Sequence, residues 1–389
     1  MRTKICCTLI MKLGIVCYPT YGGSGVMATE LGLAMAGKGF EVHFISYKRP
    51  VRLGGFYPNV YYHEVNSFEY PLFDFKPYDT ALASKIVNIC LHYQLDLLHV
   101  HYAIPHATIA HLAKEILYTK GIRLPIITTL HGTDITLVGN ESSFHPVVEF
   151  SINQSDGVTA VSESLKQDTL KHFQIEKPIE VIYNFIDFSR FKKRHQLFKS
   201  QFGCENQKLI LHVSNFRKVK RISDILKVFK GIHSEIRSKL VLIGDGPEST
   251  SLVDLTEELG LKDSVIFMGK QDAIEEMLDL ADLFILASEH ESFGLAALEA
   301  MACEVPVIST DAGGLKEVNL HGYSGYVSAV GDIESMTKNA LSILADDTIL
   351  NQFKKQALQQ AKKFDLDVIL PQYINYYQKI IDTSQQKNR

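Results

Sequence analysis

The chain has 389 residues, of which 46% are apolar and 22% charged, and a formal net charge of −4. This is the composition of a globular protein long enough for two domains, and it gives no electrostatic case for a nucleic-acid partner. No apolar run reaches the roughly 18 residues of a membrane span, so none is expected.

The opening MRTKICCTLIMKLGIV has the basic and apolar flavour of a signal peptide. Lys12 interrupts it and no small-residue cleavage site follows, so residues 1–10 read as a short extension ahead of the first strand. The six cysteines, at 6, 7, 17, 90, 204 and 303, show no C-x-x-C pairing. They read as reduced core residues of a cytoplasmic protein, and neither a zinc ribbon nor a disulfide framework fits.

Strand-like apolar runs then alternate with helical patterns at the intervals of βαβ units. In the first half, strands are expected at Leu13–Cys17, Val42–Ser46, Leu97–Val100, Ile126–Leu130, Gly157–Val161 and Ile179–Ile182. Helices are expected between them, for example at Gly25–Lys38, Thr80–Tyr93 and His106–Leu117. The second half repeats the rhythm at Leu209–Val213, Leu240–Ile243, Val265–Met268, Leu283–Leu286 and Val305–Ile308. Between the halves, Asp187–Phe202 is charged and follows neither period, so it reads as a linker. Its basic cluster, Arg190, Lys192, Lys193 and Arg194, reads as solvated rather than membrane-bound. After about Ile333 the chain is helical, and Leu370–Ile381 is an amphipathic last helix suited to packing on the first domain. The predicted class is α/β, with two Rossmann-like doubly wound domains facing a central cleft. The first takes residues 1–186 plus the helix at about 370–389, the second residues 187–369. Ligands of such folds lie at the carboxyl ends of the strands.

Several candidate groups fall at those ends. Gly22, Gly23, Ser24 and Gly25 follow the first strand and open a helix, where glycines let backbone approach an anion and the helix start supplies N–H donors. The spacing is not G-x-G-x-x-G, and Ile45, Ser46 and Tyr47 end the second strand where a nicotinamide ribose would need an acid, which disfavours a dehydrogenase. His99 and His101 share one strand face, with Tyr102 and His106 after them. No carboxylate partner completes a metal set, so these histidines read as core or lining groups. His131 opens the segment HGTD at another strand end, placed to donate to a sugar hydroxyl or phosphate. In the second half, Arg217, Lys218, Lys220 and Arg221 follow a strand and suit a diphosphate leaving group. Gly244 and Gly246 form a tight turn after the next strand. Glu291 and Glu299 stand eight positions apart, one in a strand-to-helix loop and one inside the helix that starts after Gly294. Carboxylates would repel a diphosphate at that helix start. They serve better as acceptors for hydroxyls, one of a sugar and one of a ribose, or else as two solvated charges.

Taken together, GGSG at 22–25, HGTD at 131–134, the basic loop ending in Lys220, GDGP at 244–247 and ESFGLAALE at 291–299 resemble the retaining glycosyltransferases of family 4, which have the GT-B fold. The elements occur in the family's order across nearly the whole chain, with the last matching its E-x7-E signature. The wording of CYPTYGGSGVMATELG, HVHYAIPHA and SNFRKVKR is similar to the members that use L-malate as acceptor. On that resemblance the donor is UDP-N-acetylglucosamine, the reaction is the first step of bacillithiol biosynthesis, and no cofactor or metal is expected. Lys220 then matches the diphosphate-binding lysine, Glu299 the ribose glutamate, Glu291 the donor-sugar glutamate and His131 the donor-site histidine. Phe293, Gly294 and Leu295 supply backbone near the diphosphate, with Gly23 and Gly244 also on the donor side. Ser24, Tyr102 and Thr133 are the acceptor candidates by position. One departure matters: the arginine that many members carry five positions before the lysine is Asn215 here, leaving Arg217 as the substitute cation.

Three alternatives stay open on the sequence. A family-4 transferase for a lipid or inositol phosphate should carry a basic amphipathic helix in its first domain, and neither Gly25–Lys38 nor Thr80–Tyr93 is one. Against a nucleotide-sugar-binding protein without turnover, the intact E-x7-E with Lys220 favours an enzyme, and sugar-binding modules often stack on tryptophan, of which the chain has 0. A nucleotide-sugar epimerase of similar fold would pass no sugar to an acceptor. Small-molecule substrates are the expected partners, and the oligomeric state, a homo-oligomer included, is left open.

Overall fold

Buried parallel strands need apolar side chains on both faces, and the short runs found along the sequence meet that need. Leu283, Phe284, Ile285 and Leu286 are all buried, as are Leu240 to Ile243. The computed structural model describes residues 11–67, 77–137, 141–193, 199 and 205–386. The chain divides into two compact units, Met1–Tyr183 with Ile369–Arg389, and Asn184–Val368.

The first unit holds seven strands: β1 Lys12–Val16, β2 Glu41–Ser46, β3 Val60–Glu64, β4 Leu97–His101, β5 Ile126–Leu130, β6 Gly157–Ala160 and β7 Ile179–Val181. They pair in parallel in the order β3-β2-β1-β4-β5-β6-β7. The second unit holds β8 Lys208–Val213, β9 Ser238–Ile243, β10 Val265–Phe267, β11 Leu283–Leu286, β12 Val307–Thr310 and β13 Gly325–Ser328, in the order β10-β9-β8-β11-β12-β13. Each order reverses beside the first strand of its unit, between β1 and β4 and between β8 and β11. A crevice opens at such a switch point because the loops after the two neighbouring strands turn to opposite faces.

Two strands were not anticipated. β3 (VYYHE) and β13 (GYVS) are sheet edges with partly exposed faces, so neither shows the continuous apolar run of an inner strand. The strand expected at Val305–Ile308 begins instead at Val307. Pro306 lacks the N–H that a ladder position requires. The helix expected from His106 starts at Thr108, after a wide turn at Ala103–Ala107.

Residues after Asp187 also differ from a solvated linker. Phe191 is fully buried, and Arg190 donates to Glu275 at 3.2 Å and to the Asp272 carbonyl at 3.3 Å, all within the second unit. An aromatic ring beside charged residues gave this short stretch no period, yet its burial anchors the segment. Arg194 lies outside the described residues, as do residues 1–10 with Cys6 and Cys7, and Cys204. Cys17, Cys90 and Cys303 are buried and in no disulfide, and burial pushes the Cys17 thiol up to about 12.

The final helix, Leu366–Gln386, buries Tyr373, Tyr376, Tyr377, Ile380 and Ile381. Its tyrosines make specific bonds to the first sheet. The Tyr376 hydroxyl accepts from the Val158 amide at 2.9 Å and donates to the Val158 carbonyl at 3.2 Å. The Tyr377 hydroxyl lies 2.7 Å from His99 Nδ1. Each fully buried large side chain contributes roughly 1.5–3 kcal/mol by its area alone. Among the described residues no helix is long and apolar enough to cross a membrane.

Candidate active site

In the second unit, candidate residues gather at the carboxyl ends of β8 and β11. The chain leaves β8 through Ser214–Arg217, makes a tight turn at Lys218–Lys220, and enters the helix Ile222–Glu235 through Arg221, whose φ is +49°. The Arg221 guanidinium turns back to Asp224, 2.7 Å away, so it is committed within its own helix. Lys220 instead reaches across to the loop after β11 and pairs with Glu291. That loop is held in place from three sides. Glu289 donates its amide to the Val219 carbonyl at 2.8 Å, the Ser288 hydroxyl donates to Glu291 Oε1 at 3.0 Å, and the Gly314 amide donates to the Glu291 carbonyl at 2.9 Å. The Thr310 hydroxyl in turn donates to the Ser288 carbonyl at 2.6 Å.

Two glycines make this packing possible. Gly313 has φ +50°, and a Cβ there would lie 2.1 Å from the Glu291 carbonyl oxygen. Gly294 has φ +97° and would meet Leu315 at 2.4 Å. Gly294 caps the helix Leu295–Ala302, whose first turn carries no acidic residue and whose cap makes no side-chain bond. A helix start of that kind offers backbone donors and a partial positive charge to an anion. Phe293 is buried edge-on to Phe364, with ring centroids 5.5 Å apart, and fixes the approach to the helix. Leu295 is half-buried, and Glu299 lies in the buried part of the helix, 5% exposed.

The remaining second-unit candidates divide. Arg217 and Asn215 are exposed on the β8 loop. Gly244, with φ +136°, would place a Cβ 1.8 Å from the Ser214 carbonyl oxygen, and Gly246 would meet the Phe216 carbonyl oxygen at 2.5 Å. The GDGP turn is therefore glycine-rich because it lies directly against the β8 loop backbone. Its glycines shape the wall of the site.

The first unit forms a separate cluster after β1, β4 and β5. Gly22 caps the helix Gly23–Gly37, again with no side-chain cap and no acid in the first turn. Gly23 at its start is exposed. A Cβ on Gly25 would meet the Tyr18 and Thr20 carbonyl oxygens at 2.5 and 2.6 Å, so the helix start packs tightly on the strand end. The Ser24 hydroxyl donates to the Tyr102 hydroxyl at 2.8 Å. Tyr102 has φ +87° and packs its ring 5.4 Å from Tyr18 and 5.3 Å from His131. Thr133 is exposed on the same loop as His131.

Asp134, given no role from sequence, holds this loop together. Buried within the chain, it accepts from the Gly132 amide at 3.0 Å, the His131 amide at 3.3 Å and, through its other oxygen, the Ala103 amide at 2.8 Å. Burial pushes its carboxyl up to about 6, against the pull of these backbone donors. Burial likewise holds His131 down to about 3, with neighbouring His106 adding to the effect. His131 is thus neutral near pH 7 and works through hydrogen bonds, so positive charge for an anion has to come from lysine, arginine and helix starts. His99 bonds Tyr377 through Nδ1 and Thr129 through Nε2, both at 2.7 Å, and has no nitrogen left for a metal. No group of three or more potential metal ligands occurs among the described residues.

Comparison with known proteins gives the same reading over both halves. Residues 21–190 match the family described as Glycosyltransferase Family 4, and residues 193–360 the family described as Glycosyl transferases group 1. The N-acetyl-alpha-D-glucosaminyl L-malate synthase of Bacillus anthracis is 45% identical over 374 residues, covering 95% of this chain and 97% of that protein. Among solved structures, sucrose-phosphate synthase from Thermosynechococcus elongatus superposes with a TM-score of 0.81 at 18% identity, over 96% of this chain and 100% of the other. Anabaena Alr3699/HepE, solved in complex with UDP and glucose, superposes with a TM-score of 0.80 at 20% identity, over 94% of this chain and 99% of the other. These structural likenesses establish the two-sheet fold, and the sequence matches establish more. The chain belongs to the family-4, group-1 glycosyltransferases and has their GT-B fold.

Proposed function

We propose that the protein transfers N-acetylglucosamine from UDP-N-acetylglucosamine to the hydroxyl of L-malate, with retention at the anomeric carbon. The observation that carries this reading is the 45% identity to the Bacillus anthracis malate synthase over nearly the full length of both chains. On the resemblance this is the step that opens bacillithiol biosynthesis, a cytoplasmic role. The second unit is assigned the donor. Lys220, Arg217 and the helix start after Gly294 face the charge that develops on the leaving UDP, while Glu291 accepts from sugar hydroxyls and Glu299 from the ribose. Lys220 and Glu291 pair with each other, which places a cation and an acceptor side by side at the proposed donor site. A unit charge pair at 4 Å is worth about 4 kcal/mol at an effective dielectric near 20, enough to matter for a leaving diphosphate.

The first unit is assigned the acceptor through Ser24, Tyr102 and Thr133, with His131 donating to the donor sugar or phosphate. The favoured path is front-face attack. The malate hydroxyl oxygen bonds to the anomeric carbon, the bond to the phosphate oxygen breaks, and that departing oxygen takes the hydroxyl proton. With Glu291 assigned to the sugar hydroxyls, no carboxylate of the site is an obvious covalent nucleophile. Measuring UDP released from UDP-N-acetylglucosamine with and without L-malate tests the proposal. Release that depends on malate is expected, whereas release indifferent to malate, or none, would contradict it.

A further inference from the structure

His101, the last residue of β4, is 2% exposed and its Nδ1 lies 2.8 Å from Nε2 of His131. The two rings are nearly parallel, with planes 27° apart and centroids at 5.1 Å. Two nitrogens at that distance share one proton when both rings are neutral, and burial keeps both neutral near pH 7. Two arrangements satisfy the contact. In one, His131 donates from Nε2, and His101 must then carry its own proton on Nε2. That atom is buried with no partner among the described residues, so the arrangement strands an N–H in the core. In the other, His101 donates from Nδ1 and only a ring lone pair is left unmatched at its Nε2. Buried N–H groups without an acceptor are the rarer and costlier defect. The second arrangement obliges His131 to carry its proton on Nδ1. His131 is half-buried and that nitrogen makes no hydrogen bond among the described residues.

We infer that His101 is a positioning residue: by donating Nδ1–H to His131 Nε2 it fixes the tautomer that makes His131 Nδ1 a hydrogen-bond donor toward a sugar or phosphate oxygen. The inference rests on the assignment of His131 to the donor. It also explains why a neutral histidine suffices there. The ring on its own can present either a donor or an acceptor at Nδ1, and His101 removes the choice. Asp134, gripping the His131 and Gly132 amides, sets the backbone from which the ring projects.

The test reads the tautomer directly. Full-length protein labelled with 15N-histidine shows, through long-range proton–nitrogen couplings, which nitrogen of each neutral ring is protonated, and His131→Asn identifies the His131 signals. Wild type is expected to show Nδ1–H on His131. His101→Asn, which retains an amide N–H near the Nδ1 position, is expected to keep it. His101→Ala admits water that can donate or accept, so His131 should become a mixture and kcat/KM should fall about fivefold to tenfold, with most of the loss restored in His101→Asn. Nε2–H on His131 in the wild type would overturn the inference, as would an unchanged tautomer in His101→Ala. The spectra need no substrate, so they separate the two claims. Nδ1–H on His131 in wild type, lost in His101→Ala with no change in kcat/KM, supports the positioning contact and counts against the donor assignment of His131.

Discussion

Mild acid should destabilise the first unit well above the pH at which ordinary carboxylates titrate. His99, His101 and His106 are at most 2% exposed. Burial lowers His99 from its ordinary 6.5 to about 3 and His106 to about 4, and holds His101 well below 6.5. Such groups stabilise the fold while neutral, and that contribution is lost as the pH falls below 6.5, because the unfolded chain binds protons the folded one refuses. Each such histidine removes about 1.4 kcal/mol per pH unit, so these three remove about 4 kcal/mol per unit, and His131 and His63, held at about 3 and about 4, add to the loss. Asp134 works the other way. Its carboxyl, raised to about 6 by burial, binds a proton in the folded state first and returns about 1.4 kcal/mol per unit between pH 6 and its ordinary 3.8. The net loss from His99, His101, His106 and Asp134 alone is about 3 kcal/mol per unit, or about 4 kcal/mol between pH 6 and 4.5, a large share of the 5–15 kcal/mol that holds a typical domain.

Tyrosine fluorescence is the natural probe. The chain has 17 tyrosines and no tryptophan, and of the tyrosines only Tyr323 and Tyr326 fall within the second unit. Urea midpoints measured from pH 8 to 4.5 at constant ionic strength should fall by about 2 M across the acid range. His99→Gln, whose neutral amide still reaches toward Tyr377 and Thr129, should flatten the dependence by about 1.4 kcal/mol per unit even if it lowers stability at pH 8. A midpoint that stays level between pH 7 and 5, or a variant as steep as the wild type, would refute the reasoning. In the second unit His212 is held at about 4 by the same cause, with its Nδ1 donating to the Ile285 carbonyl at 2.8 Å, so that unit should lose less.

Two further outcomes follow from the second-unit site. Lys220→Ala should lower kcat about 100-fold to 1000-fold while the KM for UDP-N-acetylglucosamine changes little, since the charge it meets is greatest as UDP departs. Equal losses in both constants would assign Lys220 to ground-state binding. Gly313→Ala combines a positive φ with a Cβ 2.1 Å from the Glu291 carbonyl oxygen, whereas Gly322→Ala, at φ +74°, has nothing within 4 Å. The first should cost about 2–4 kcal/mol in urea unfolding and weaken UDP binding by calorimetry. The second should cost only about 1–2 kcal/mol and leave UDP affinity unchanged. Similar effects from the two would mean that the Gly313 contact does not set the position of Glu291.

Inner strands were legible because burial on both faces demands continuous apolar runs, as in Leu283–Leu286 and Leu240–Ile243. The edges β3 and β13 were not, since a strand with one wet face and few residues leaves no such run. The glutamate pair, the basic loop and the glycine turns announced themselves through residue type at strand ends. Residue type does not give distance. The direct pairing of Lys220 with Glu291 joins residues 71 positions apart, and the contact of His101 with His131 joins residues 30 apart. Gly244 illustrates the same limit: its sequence context fits an approach to a ligand, and its geometry shows an approach to the Ser214 backbone. Asp134 was visible as the last letter of HGTD, but its bonds to three backbone amides depend on β4 and β5 lying side by side.

The most direct measurement is the structure of the product formed from UDP-N-acetylglucosamine and L-malate, by mass and by the proton coupling at its anomeric carbon. A compound of one N-acetylglucosamine joined to one malate in the α configuration is the expected result. Free N-acetylglucosamine, a β linkage, or no new sugar at all would contradict transfer to malate with retention.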